Sequence, residues 1–165
     1  AALNGHLSVV EWLHANRSEG CTSDAMNWAA SNGHLSLVQW LNTNCSPGST
    51  SDAMDWAAGN GHLSMVEWLQ TNIVYYAADN DCYYFSEDDD GADDGCGGDE
   101  TAGWRLGGDV VGCTKDAMDK AAENGHLAVV EWLHANRAEG CTRSAMDMAA
   151  RNGHLSVVKW LYANR

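Results

Sequence analysis

The sequence predicts an all-α solenoid of antiparallel helix pairs. Three observations carry the prediction: a short motif recurring at fixed spacing, two helical stretches in each copy, and a glycine turn joining them. The string Asn-Gly-His-Leu stands at 4–7, 32–35, 60–63, 124–127 and 152–155, so neighbouring copies lie 28 residues apart except across the middle, where the gap is 64. Repetition also explains why eight Trp stand beside one Phe.

Each copy opens with a helix signal. Asp24 precedes Ala-Met-Asn-Trp-Ala-Ala, and a short acid before an Ala-rich run can accept hydrogen bonds from the orphan amides of a first turn. The first helix is therefore expected to begin near Ala25 with Asp24 as its cap. Asp52, Asp116 and Ser144 hold the same place in their copies, and Asp55, Asp119 and Asp147 sit three residues on, where a carboxylate favours a helix N-terminus. Asn32-Gly33 then interrupts the run. Its flanks are helical in period, so the pair reads as a left-handed helix end and not as a hairpin.

The second helix follows at once. Leu35, Val38, Trp40 and Leu41 fall on one side of it and Ser36, Gln39 and Asn42 on the other, the pattern of a half-buried helix. Asn44, a residue tolerant of left-handed geometry, ends it. Helices this short scarcely form alone, since isolated helices below roughly 12–15 residues are marginal. They must stack, and the Trp, Leu, Met and Ala of each unit are expected to supply the contact, each buried Trp removing about 150–250 Å² from water.

The run Asp-Ala-Met-Asn-Trp-Ala-Ala-x-Asn-Gly-His-Leu-x-x-Val-x-Trp-Leu resembles the ankyrin repeat in its Ala-Ala, Gly-His and Val-Val elements, over residues 1–72 and 112–165. The unit is 28 residues long, against about 33 in that family. The missing residues come from the hairpin between repeats, so the projecting finger is expected to shrink to a tight loop. The short Trp-Leu…Gly-Cys-Thr form is similar to long arrays of water moulds and giant viruses. The resemblance implies a protein-interaction scaffold that binds through a concave face. The chain opens at Ala1-Ala2, equivalent to Ala29-Ala30, and stops at Arg165, equivalent to Arg17. Neither end shows a polar capping repeat, so the sequence is expected to be a fragment.

Residues 73–111 break the pattern and hold eleven acids against the one base Arg105, most of the formal charge of −14. They read as an acidic, disordered insertion, or as an eroded repeat, because Trp104 lies 28 residues before Trp132. A calcium loop fails at both ends: with Gly91 sixth, the first residue is Ser86 and the twelfth Gly97. Two C-terminal repeats fall short of the three or so a stack needs, so 112–165 is expected to lean on 73–111 or on neighbours outside the sequence. Without clustered bases, phosphate backbones offer little attraction, and nucleic acid is set aside. No apolar run approaches the roughly 18–20 residues of a membrane span.

The periodic histidines His6, His34, His62, His126 and His154 suggest metal at first sight. Each belongs to a different repeat, however, and packed helices lie about 8–10 Å apart; the expected role is a bond to backbone at the start of the second helix. Cys21, Cys113 and Cys141 also recur, and Cα atoms one repeat apart exceed the ~7 Å limit for a disulfide. They are expected to be small buried thiols, with Cys45 in the place of Arg17 and no disulfide framework, which favours a reducing, intracellular compartment. No phosphate loop, nucleophile elbow or metal spacing is present. The expectation is a protein that is not an enzyme and has no metal site or cofactor.

Positions that differ between copies are free to face a partner. Two columns differ most: Ser23, Ser51, Lys115 and Arg143 before the first helix, and Ser31, Gly59, Glu123 and Arg151 before the turn. In the ankyrin arrangement these resemble the loop and concave positions. Lys120 replaces a Trp that would otherwise be core, so its amine should snorkel outward. The C-terminal concave face is expected to bind an acidic patch on a protein partner, with the chain's own acidic loop as a competitor. The alternative is an acidic-loop module that binds a basic partner or cations.

Overall fold

The computed structural model describes residues 1–18, 20–45, 51–72 and 113–164. After a 3-10 turn at Ala2–Asn4 come α1 (Leu7–Asn16), α2 (Ser23–Ser31), α3 (Leu35–Asn44), α4 (Ser51–Gly59) and α5 (Leu63–Asn72). Beyond the central segment come α6 (Lys115–Glu123), α7 (Leu127–Asn136), α8 (Arg143–Arg151) and α9 (Leu155–Asn164), and no strand occurs among the described residues. The first helices α2, α4, α6 and α8 form one layer and the second helices the other.

The first helix starts earlier than Asp24 suggests. It begins at Ser23, and the cap is Thr22, whose hydroxyl accepts from Ala25 N at 3.4 Å. Thr114 and Thr142 do the same for α6 and α8, accepting from Asp116 N and Ser144 N at 3.1 Å. A hydroxyl wins this position because it accepts from its own helix while donating to the preceding repeat: Thr114 Oγ1 donates to Asp55 Oδ2 at 2.6 Å and its amide to Oδ1 at 2.9 Å. Thr142 makes the same pair of bonds to Asp119. Asp55 and Asp119 thus tie repeat to repeat and do not serve their own helix end.

The glycine turn is as read. Gly33, Gly61, Gly125 and Gly153 have φ of 72°, 78°, 79° and 80°, and His34 N reaches back to Ala29 O at 2.9 Å across the turn, a helix-ending bond of the Schellman kind. The second helices end differently from expectation. Asn44 is helical, and its amide side chain donates to Trp40 O at 2.8 Å. Asn16, Asn72, Asn136 and Asn164 repeat the bond, a second donor to the carbonyl one turn back.

The core is built of Ala, Met, Leu and Val, including Met26, Ala29, Ala30, Leu37, Val38 and Leu41 with their equivalents. Tryptophan contributes less than expected. Trp40, Trp68, Trp132 and Trp160 are half-buried, and Trp12, Trp28 and Trp56 are exposed. Small alanines let the first helices approach each other closely, and the larger side chains fill the space between layers.

Helix α6 sits directly on α4. Besides the Thr114–Asp55 pair, Asn124 Nδ2 donates to Gly59 O at 2.8 Å and Arg137 Nη1 to Gln70 Oε1 at 2.9 Å. The neighbour that the C-terminal repeats pack on is therefore the repeat at 51–72, which α6 meets directly through α4. The acidic segment 73–111, read as disordered or as an eroded repeat, lies outside the described residues.

Candidate protein-binding face

The periodic histidines are structural ties. His34 Nε2 lies 3.0 Å from Leu3 O, in the repeat before it, and His126 bonds the equivalent backbone of Gly59. Each ring lies over the turn glycine of that repeat: a Cβ built on Gly33 would meet His62 Nδ1 at 2.8 Å, and one on Gly61 would meet His126 Nδ1 at 2.5 Å. Burial, followed by repulsion from His62 and His154, holds the His126 pKa below its ordinary value. A neutral ring suits packing in a column of like groups.

The first-helix layer presents the variable residues. Ser23, Ser31, Ser51, Lys120 and Glu123 are half-buried, and Lys115, Arg143 and Arg151 are exposed. Gly59 departs from expectation: it is buried, and a Cβ there would stand 3.0 Å from Lys120 Cβ. The stem of Lys120 covers it, so Gly59 offers a partner no side chain.

The Trp column is the feature that residue type alone concealed. Trp28 is 46% exposed and Trp56 37%, so the place that Lys120 and Met148 take in later repeats is a surface position and not core. In α2 the buried residues include Met26, Ala29 and Ala30, spaced i, i+3, i+4, and Trp28 falls outside that stripe. A column holding Trp, Trp, Lys and Met was the available signal, since a Lys does not share a sealed core site. Asp24 and Asp52 are also exposed. The layer thus runs from an aromatic and acidic N-terminal half to a C-terminal half in which Lys115, Lys120, Arg143 and Arg151 alternate with Asp116, Glu123 and Asp147.

The cysteines correct a second reading. Cys21 and Cys45 are joined as a disulfide with Cα atoms 5.8 Å apart, while Cys113 and Cys141 are in no disulfide. Comparing cysteines of one column overlooks this pair, because Cys21 lies against the C-terminal end of the following second helix. The inference of a reducing compartment loses the support it drew from these two thiols. Cys113 is buried, which pushes its pKa up to about 11; this suits a packing thiol more than a reactive one.

A family model for ankyrin repeats in three copies matches residues 1–82, and one for ankyrin repeats in many copies matches 118–161. No curated protein matches the chain. Among the described residues no helix is long and apolar enough to cross a membrane. Paired helices and left-handed glycine turns agree with both matches, and ankyrin repeats are in general protein–protein interaction modules. The chain belongs to the ankyrin repeat family.

Proposed function

We propose that the chain is a scaffold that binds a protein partner through the concave side of the array, formed by the first-helix layer, and that it catalyses nothing. The observation that carries this reading is the pair Trp28 and Trp56, two large exposed aromatics one repeat apart on helices that pack on each other. Interface energy concentrates in Trp, Tyr and Arg, and a partner that covers these two rings removes a large apolar area from water. First helices approach each other more closely than second helices do, which supports curvature toward this side. The partner we infer offers an apolar side chain to the Trp pair and acidic groups toward Lys115, Lys120, Arg143 and Arg151. Nucleic acid is a poor match for a chain with a formal charge of −14. We divide the chain into repeats over 1–72, an acidic segment over 73–111 and repeats over 112–165.

The test is binding of a captured partner by calorimetry at several salt concentrations. Trp28→Ala with Trp56→Ala should weaken binding about a hundredfold, taking each Trp as an interface anchor. Charge reversal of Lys115, Arg143 and Arg151 should weaken it further and flatten the salt dependence. Deleting 79–100 should leave affinity intact. Loss of binding on that deletion alone would move the activity to the acidic tract, and unchanged affinity in both substitution sets would put the contact elsewhere.

A further inference from the structure

One corner of the first loop gathers metal-ligating chemistry that sequence spacing does not reveal. His14, Cys21 and Cys45 place one nitrogen and two sulfurs within 4.8 Å of one another, and Cys45 Sγ lies 3.7 Å from His14 Nδ1. In a tetrahedral zinc site, bonds of about 2.3 Å to sulfur and 2.0–2.1 Å to nitrogen put neighbouring ligand atoms about 3.5–3.8 Å apart. Trp40 meets the His14 ring edge-on, with centroids 5.3 Å apart, which fixes the ring plane. Beside the corner lies a cavity of about 400 Å³, lined by His14, Cys21, Arg17, Thr22 and Leu41 among others.

The same corner between α5 and α7 shows that the fold does not demand these residues. There Gln70 stands in the place of His14, Cys113 in that of Cys21, and Arg137 in that of Cys45. Arg137 bridges Gln70 and Glu139, so hydrogen bonds and an ion pair fill the space. In the first corner both polar partners are exchanged for soft ligands, and three donors converge.

We propose that Cys21, Cys45 and His14 form a Cys2His site for a soft divalent metal of the zinc class, with water in its fourth position, and that the disulfide is the closed state of that site. Opening needs a reductant, for which a low-molecular-weight thiol suffices. Two thiol molecules pass two electrons and two protons to the Sγ–Sγ bond, giving two cysteine thiols and one small disulfide. Both cysteine protons leave to solvent as the thiolates bind the metal. His14 binds through Nδ1 with its proton on Nε2. Thiolate with imidazole selects zinc-class and copper ions over calcium or magnesium.

The experiment uses the full chain, reduced with a water-soluble phosphine, which takes its oxygen from water as it reduces the disulfide. Cobalt(II) is then titrated as a coloured stand-in for zinc. The expected result is a thiolate-to-cobalt charge-transfer band, with visible bands of tetrahedral intensity, that is displaced by zinc and absent without reduction. Cys45→Arg and His14→Gln install the residues of the α5–α7 corner. Each should weaken cobalt binding about a hundredfold or more, since even loss of an outer-shell partner costs 10–100-fold. The other cysteines could bind cobalt too, so a band of equal strength and affinity in both variants would overturn the assignment. Absence of the band from the reduced parent chain would also overturn it. If Cys45→Arg disturbs folding, His14→Gln carries the test, because that side chain is exposed.

Discussion

Gly125→Ala should lower the stability of the array by about 2–5 kcal/mol, whereas Gly153→Ala should cost only about 1–2 kcal/mol, although both glycines have the same backbone conformation. Their φ values are 79° and 80°, so each alanine meets the left-handed penalty of roughly 1–2 kcal/mol. They differ in what lies above them. A Cβ on Gly125 would stand 2.5 Å from His154 Nδ1, while Gly153 has nothing within 4 Å. His154 cannot yield freely, because its amide is tied to Ala149 O at 2.8 Å and its ring seats the last repeat on the one before. Overpacking a fitted site adds about 1–3 kcal/mol. Urea denaturation of both variants checks the difference, and the double variant Gly125→Ala, His154→Ala isolates its cause. Once the ring is removed, the alanine should cost no more than at Gly153. Equal losses in the two single variants would mean the ring contact is loose and that glycine is present for φ alone.

That contact shows what was legible. Asn-Gly-His-Leu could be read as a helix end followed by a helix start, because both halves of the signal are local: the left-handed glycine and the periodic leucine and valine. The reason for the histidine was only partly local, since its ring serves the glycine of the preceding repeat. Three readings went astray in the same direction. Asp24 looked like the cap because it precedes the alanines, but Thr114 and Thr142 each meet the aspartate of the preceding copy, Asp55 and Asp119, and a hydroxyl that donates across repeats while capping its own helix is the better choice. Trp28 looked like core because it is large and apolar, yet the alanine stripe beside it had already claimed the buried face. Cys45 looked solitary because its own column holds arginine, while its partner stands in another column. For the cap and for Cys45, residue type was read within one repeat, and the deciding contact lay between two. Column comparison had enough information for the tryptophans, through Lys120, and for Cys45, through the Cys113 and Arg137 pair at the same spacing of 24 residues.

Asp55→Asn should change the pH dependence of stability more than stability itself. Asp55 is only 4% exposed, and burial raises its carboxyl pKa from 3.8 to about 6 against the opposing pull of the Thr114 hydroxyl and amide. Asp116 adds to the rise and Lys120 opposes it; Cys113 lies within electrostatic reach and stays a neutral thiol. A folded pKa above the unfolded one means that the folded state binds more protons between those two values, so this group favours folding increasingly as pH falls through 6 toward 4. Two units of pKa correspond to about 3 kcal/mol, of which roughly 2–3 kcal/mol should appear between pH 7 and pH 4. His126 works in the opposite sense: its folded pKa is lowered, so its contribution is present above its unfolded value of about 6.5 and is lost as pH falls through the folded value. The two partly cancel in the parent chain, and subtraction separates them. Asparagine resembles the protonated acid, keeps an acceptor for Thr114 N, and already stands at the equivalent place as Asn27. The stability advantage of the variant over the parent should therefore shrink by roughly 2–3 kcal/mol from pH 7 to pH 4, whatever its value at neutrality. Denaturation curves at a series of pH values measure this directly. A constant difference would show that the two Thr114 donors compensate burial fully, and a growing one would show that they outweigh it, leaving Asp55 ionised in the tie that joins α4 to α6.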